Sequence, residues 1–546
     1  MPRLRGPLAP AAGLLAAALV LSGCQEVQTA APVQETADVT GVTLDGRKIS
    51  EGGDLVMALS AEPDVLDPTT SSSLYTRYVM QTMCEKLYDI DEAGEIVPML
   101  ATELPDVSDD GLTVTFPIKE GVQFADGTPF DAAAVKTSIE RHLTKEDSSR
   151  RSELGPIEEV TAVDEHTVEI TYETPFAPLT AVLADRAGMI MSPTELEKAG
   201  DDFGEHPVCV GAFKFAERVP QTSITVERDP LYYDAENVHL DSITYRIITD
   251  ASIRSANLRS GDVQVADTLS TQDLAELEDA EGVGLLEVGS LGYQAMTVNV
   301  GNTDGVGAPP GKIDTPIATD PRVREALSMA VDREQLVKSV FNDRFDPACS
   351  PISPASTFST AASEACPEYD PEGAKALLEE AGADVPYEIE IKVTNTPDTL
   401  RLAQAVQASV AEGGFELTIV PVEYSSLLEV QEQGDFDLLQ LGWSGRVDPH
   451  GNMFNFLSTG AGNNYSGYSD PEVDDLLTQA ATVIDPAERA DLYGQVVAKV
   501  QEDNPIIYLY RTRSLTGYAD EVAGISTYAD GVVRLSHAAF VDPNEG

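Results

Sequence analysis

Residues 388–441 read EIEIKVTNTPDTLRLAQAVQASVAEGGFELTIVPVEYSSLLEVQEQGDFDLLQL. Three short runs, Glu388–Val393, Leu417–Val422 and Phe436–Leu441, carry strand patterning. Between them, Leu400–Ala411 and Ser425–Gln433 carry helical spacing. Those lengths fit right-handed crossovers and predict a largely parallel sheet covered on both faces, hence an α/β fold. Upstream, Asp320-Pro321 is a helix cap followed by Pro at the first helical position, and Val323, Leu327, Ala330 and Val331 share a face. Asp332 and Gln335 form a capping-box pattern for the next helix, and Asp370-Pro371 and Asp470-Pro471 repeat the Asp-Pro start. The spacing places one lobe at residues 300–512.

The region before residue 300 has a different texture, with many strands and few helices. Leu55, Met57 and Leu59 alternate with Val56, Ala58 and Ser60 in a strand nearly buried on both faces. After the Asp110-Gly111 turn, residues 112–118 alternate, and Pro117 suggests an edge strand. Asp131 is positioned to cap a helix whose Val135, Ile139 and Leu143 share a face. Further strands are predicted at Thr167–Tyr172, Ser223–Arg228 and Ile243–Ile247. Residues 51–299 thus form a first lobe, and 513–546 are predicted to return to it, making a double-crossing hinge.

The N-terminus combines Arg3 and Arg5, an apolar stretch from Pro7 to Leu21, and the ending Leu21-Ser22-Gly23-Cys24. This reads as a secretory signal over residues 1–23, and the ending resembles the bacterial lipobox, with Cys24 as acceptor of a lipid anchor. The apolar run is shorter than the roughly 20 residues a membrane span needs. Residues 24–50, small, polar and acidic, are expected to be a flexible tether. The expected location is the outer face of the cytoplasmic membrane.

The chain has 546 residues, 92 acidic and 35 basic, for a formal charge of −57. Such a charge repels phosphate backbones, so no nucleic-acid partner is expected. Setting Cys24 aside leaves Cys84, Cys209, Cys349 and Cys366. An even number outside the membrane suggests two disulfides, Cys349 with Cys366 across a short loop and Cys84 with Cys209 across a long one. A structural metal is the competing reading. With no CxxC and only six scattered histidines, neither a metal nor a cofactor is expected.

HExxH and GxxxxGK[ST] are absent. Gly442-Trp443-Ser444-Gly445 misses the GxSxG spacing of a nucleophile elbow, and His450 reads as a solvated loop residue. No catalytic residue is assigned and no enzyme is expected. More informative is Leu441–Tyr468, LGWSGRVDPHGNMFNFLSTGAGNNYSGY. It starts at the end of a predicted α/β strand, where open sheets bind ligands. It contains the chain's one tryptophan. Aromatic walls and amides suit a ligand cleft, with Trp443, Arg446, Asp448, Asn464, Tyr465 and Tyr468 as candidates. Glu62 and Tyr75, flanking the turn-rich loop after the first long strand, complete the set. A guanidinium can grip a carboxylate or phosphate through two hydrogen bonds. The competing reading packs Trp443 in the core and pairs Arg446 with Asp448.

Five stretches in order carry a resemblance: residues 109–141, HPVCVGAFKF at His206, DPRVREALSMAVDREQLV at Asp320, YDPEGAKALLEEAG at Tyr369, and the series from Gly442 through Asp470-Pro471. Together they resemble the bacterial family 5 extracellular solute-binding proteins, the dipeptide and oligopeptide class. Cys209 and Ala212 depart from the family pattern. The resemblance implies a two-lobed periplasmic-binding-protein-like fold (type II, cluster C) with an extra subdomain on the first lobe. It also implies capture of a small, peptide-like solute and its delivery to an ABC permease by a monomer. Opines, oligosaccharides and metal chelates are the alternative solutes, and a peptide or glycan hydrolase is the alternative activity. The family's peptide binders often carry an aspartate shortly after the tryptophan, holding the ligand's ammonium. Arg446 occupies the approximate position here, which implies a ligand with a carboxylate near this wall, or a capped peptide.

Overall fold

In the computed structural model, which describes residues 38–542, the quoted stretch folds as strand Tyr387–Thr394, helix Pro397–Glu412, strand Phe415–Val422, helix Tyr424–Gln433 and strand Leu438–Trp443. Local chemistry sets these boundaries. The Thr396 side chain accepts from Thr399 N at the first helix start, with Pro397 in the first turn. Gly434, at φ 74°, ends the second helix in the left-handed conformation that costs glycine least. The strand Tyr387–Thr394 pairs in parallel with both neighbours.

The sheet these strands build is mixed, against the expectation of a largely parallel one. Tyr293–Val298 pairs antiparallel with Leu438–Trp443, and Ile506–Arg511 pairs antiparallel with Tyr293–Val298. The reason is connectivity. One strand carries the chain in from the other lobe and the other carries it back, so the two run in opposite directions at the same edge. Apolar residues of the flanking helices, including Val323, Leu327, Leu402 and Val406, seal one face, and Met453, Leu457, Val473 and Tyr493 belong to the core on the other.

The first lobe is built on a seven-stranded sheet in which Asp54–Leu59 is central. Leu55, Met57 and Leu59 are completely buried. Arg513–Ala519 joins this same sheet between Val265–Ala266 and Val283–Gly289. A separate four-stranded antiparallel sheet carries Thr113–Pro117, and the helix Ala132–Thr144, capped by Asp131, shares its core. Cys84–Cys209 and Cys349–Cys366 are both bonded, as paired from sequence.

Four local readings need correction. Thr113–Pro117 is an interior strand, paired with Thr167–Tyr172 along its length and with Asp106–Val107 at Val114 and Thr115 only. Pro117 is tolerated because the ladder with Asp106–Val107 stops short of it, and the contact there uses only its carbonyl, which accepts from Thr102 N at 3.0 Å. The Asp332 side chain accepts from Gln335 N, but the Asp332 amide bonds to Ser409 Oγ, so the reciprocal half of the capping box is replaced by a tertiary bond. Residues 38–50 do not hang free: Gly41–Val42 pairs with Ile525–Thr527, and Ile49–Ser50 with Ala539–Val541. The first crossing also comes earlier than residue 300, because Tyr293 already belongs to the second sheet. The signal, Cys24 and the first part of the tether lie outside the described residues.

The chain crosses between the lobes near residues 290–292 and again at Thr512. The crossings are tied together by a hydrogen bond from Ser290 N to Thr512 O, 3.2 Å. Gly445, at φ 87°, packs on this hinge, and an added Cβ would lie 2.4 Å from Gly292 N.

Candidate ligand-binding site

A cavity of about 590 Å³ lies between the two lobes at the hinge. The first lobe contributes Ser60 to Glu62, Tyr75, Arg77, Arg186 and Arg254. The second contributes Gln294, Thr394 to Thr399, Arg401, Tyr424, Gln440 to Ser444 and Tyr465. Thr394 to Thr399 and Gln440 to Ser444 gather at the C-terminal ends of Tyr387–Thr394 and Leu438–Trp443, the ends at which α/β sheets expose ligand sites.

Trp443 ends the strand Leu438–Trp443 and half-buries its ring in the cavity wall. Its indole N–H donates to Asn452 Oδ1 at 3.0 Å, and its ring meets Phe456 edge-on with centroids 4.9 Å apart. Phe456 in turn lies beside Tyr465, 6.3 Å away. The hydrogen bond satisfies the polar tip of the tryptophan, and together with the Phe456 contact it fixes the plane of the ring. The same Asn452 oxygen accepts from Arg446 N at 2.7 Å, so one amide anchors the loop and the ring together.

On the opposite wall, Tyr75 crosses the lobe boundary to meet Tyr424 edge-on at 5.2 Å. Its hydroxyl accepts from Ser60 Oγ at 2.9 Å, and Ser60 also lies 2.8 Å from the buried Asp267 carboxylate. Burial, with Asp267 adding, raises the Tyr75 phenol pKa; burial pushes Tyr424 up to about 12. Both remain neutral donors at physiological pH. Glu62 also lines the cavity, but its carboxylate is engaged by Arg218 at 2.8 Å and by Gln221 N at 2.8 Å.

Trp443, Tyr465, Tyr75 and Glu62 therefore meet at the cavity, and the other four candidates do not line it. Arg446 stacks its guanidinium over Trp443, 4.1 Å from the ring centroid, and reaches Asp185 of the first lobe at 2.5 Å. It is a contact between lobes, and it does not pair with Asp448. Asp448 is held in a two-pronged pair by Arg489, at 2.8 and 2.9 Å. Asn464 is buried and ties its own loop, donating to Ser458 O and Tyr468 O. Tyr468 donates to Asp503 at 2.7 Å. His450 is buried, stacked on Phe454 at 4.6 Å, and is no solvated loop residue.

Sequence reasoning missed the second strand end. Thr394 to Arg401 follows the strand Tyr387–Thr394 as the tryptophan loop follows its own, and the same strand-end rule would have found it. There Asp398 pairs with Arg401 and accepts from Ser270 Oγ of the first lobe at 3.1 Å. Arg186, in a short turn of 3-10 helix over Arg186–Gly188, carried no motif at all.

Contacts bridge the cleft at several further points. Arg77 donates to Ser444 Oγ at 3.2 Å, Ser152 Oγ to Asn455 Oδ1 at 2.8 Å, and Ala177 N to Ala481 O at 2.8 Å. Burial alone would raise the Asp185 carboxyl, but Arg446 and Arg77 beside it hold it well below the usual range. This is the geometry of two lobes closed over a cavity.

Two α/β lobes joined by a double crossing, with a solute-sized cavity at the hinge, define a binding protein of the periplasmic type. A family profile described as bacterial extracellular solute-binding proteins, family 5 Middle, matches residues 95–465. The chain is 29% identical over 485 residues to the glutathione-binding protein GsiB of Shigella dysenteriae, covering 86% of this chain and 91% of that one. It superposes on the binding protein AgaA of A. tumefaciens R10 in complex with agropinic acid, with TM-score 0.80 and 27% identity, covering 90% of this chain and 98% of that one. The Helicobacter pylori binding protein DppA in complex with the peptide STSA shares the fold at TM-score 0.81 and 24% identity, covering 91% and 99%. The chain belongs to the family 5 extracellular solute-binding proteins. It is an extracytoplasmic component of an ABC importer that binds and releases its solute without catalysis.

Proposed function

We propose that the interlobe cavity captures peptide-like solutes, holds them by closure of the lobes, and presents them to the permease. The observation that carries this reading is the mixture of flat aromatic walls and neutral amides around the cavity. Trp443, Tyr465 and Tyr75 offer apolar faces, while Gln294, Gln440 and Asn395 offer amides that match peptide groups. Gln440 donates to Gln294 at 3.0 Å, which fixes both amides in orientation. The volume suits a small solute and excludes a folded partner. Likeness to a glutathione-binding relative and to a peptide-bound structure supports the class. An opine is the second reading, favoured by the likeness to the agropinic acid complex.

Closure follows population-shift logic: a solute touching both walls binds the closed form more tightly and favours it. The unit is proposed to work as a monomer, held at the outer face of the membrane by an acylated Cys24.

Native mass spectrometry of the protein purified from its own host tests the solute class. A retained mass matching a short peptide supports the proposal. A retained sugar or chelate contradicts it.

A further inference from the structure

Beneath the cavity, six basic side chains face four carboxylates. Asp185 pairs with Arg77 and Arg446; Asp530 pairs with Arg77 and Arg534; Asp89 pairs with Arg534 and Lys86; Glu153 pairs with Arg150. The sixth cation, Arg186, has no carboxylate at ion-pair distance among the described residues. Its Nη1 donates only to carbonyls, Ser71 O at 2.9 Å and Ser73 O at 3.2 Å. Arg150 Nη2 donates to that same Ser71 carbonyl at 3.1 Å, so two cations crowd one neutral acceptor. The Nε groups of Arg150 and Arg186 are buried with no hydrogen-bond partner among the described residues.

This positive excess sits inside a chain of formal charge −57 that has no shortage of carboxylates. Arg186 is 1% exposed, and both it and Arg77 line the cavity. A buried charge left uncompensated costs several kcal/mol, and a structure keeps one where a counter-charge arrives. Burial, with Arg150 adding to it, lowers the Arg186 guanidinium to about 10. Burial lowers Arg446 to about 9, although Asp185 opposes the shift.

We infer that a carboxylate of the bound solute supplies the missing charge, docking on Arg186 with Arg77 beside it. This rests on the peptide-like reading and narrows it: the solute enters with an anionic end toward the Arg186 turn. Arg446, the cation read from sequence as the ligand's grip, instead closes the network from the second lobe.

Calorimetry on the full chain with tri-alanine and with tri-alanine amide tests the assignment. Charge-assisted hydrogen bonds of this kind predict that the free acid binds about 30-fold more tightly than the amide. Arg186→Met is expected to erase that preference, and Arg186→Lys to keep part of it. If Arg186→Met does not fold, the acid-to-amide ratio in the unaltered protein still decides. Equal affinity for acid and amide overturns the carboxylate site while leaving the peptide reading intact. So does inorganic phosphate that tightens binding of the amide alone, which would put a free anion on Arg186. A protein that binds neither compound overturns the peptide reading itself.

Discussion

Asp185, on the first lobe, lies 2.5 Å from Arg446 of the second and 2.9 Å from Arg77 of its own. One carboxylate thus joins the two bodies and balances two guanidinium groups. The two sides of this contact are unequal. Removing the carboxylate leaves two buried cations facing each other; removing one cation relieves a site already rich in them. Asp185→Asn is expected to lower unfolding stability by about 3 kcal/mol, in the range for a broken buried pair. Arg446→Met, which keeps an apolar stem over Trp443, is expected to cost well under half of that. Denaturant unfolding of both variants checks the asymmetry, and equal losses would contradict it.

Trp443 and Asn464 sit in one loop region but do different jobs. Trp443 faces the cavity and Asn464 does not. Trp443→Ala is expected to weaken solute binding about 30-fold, the scale of a buried aromatic anchor, with a smaller effect on folding. Asn464→Ala removes donors to two buried carbonyls and is expected to cost about 2 kcal/mol of stability. Calorimetry and thermal melts on the pair separate the two roles.

Closure is expected to depend on pH through Glu432. This second-lobe carboxyl accepts from Ser72 Oγ of the first lobe at 3.4 Å, and the same hydroxyl lies 3.5 Å from Asp64. Burial, with Asp64 next, raises its pKa from 4.5 to about 7; Glu429 and Asp147 push the same way, and Ser72 opposes them. A carboxyl whose pKa is raised in the folded, closed state binds its proton more tightly there. Its stabilising effect is full below about 4.5 and is lost as pH rises through about 7. Melting temperature is therefore expected to fall across that window, and Glu432→Gln is expected to flatten the fall. An unchanged slope in the variant would remove Glu432 from the account.

The second lobe was legible because its α/β series obeys strand and helix periods and most of its helices, such as Pro321–Met329, Pro397–Glu412 and Pro471–Thr482, start at Asp-Pro or Thr-Pro caps. What misled was non-local. No residue in Tyr293–Val298 or Ile506–Arg511 announces that these strands come from, and return to, the other lobe, and that fact makes the sheet mixed. The tryptophan loop does begin at a strand end, Leu438–Trp443, because strand ends follow a positional rule. Its polar residues were read as ligand contacts because sequence shows chemistry and not direction. Asp448 and Tyr468 found partners 41 and 35 positions away, and Arg446 found its partner in the other lobe. Arg186 was invisible because what marks it is that no carboxylate lies at ion-pair distance among the described residues, which no local pattern records.

The proposed anchor has its own test. Cys24→Ala is expected to release the protein from the membrane fraction into the medium or periplasm, with solute affinity unchanged. A variant that stays membrane-bound would contradict the acylated-cysteine proposal.

The central claim is that a solute held between the Trp443 and Tyr75 walls brings two hinged lobes together. Small-angle scattering of the full chain, with and without the solute identified by native mass spectrometry, tests it most directly. A smaller radius of gyration at saturation, reversed when the solute is removed, is the predicted result. Identical scattering curves with calorimetry showing full occupancy would contradict it.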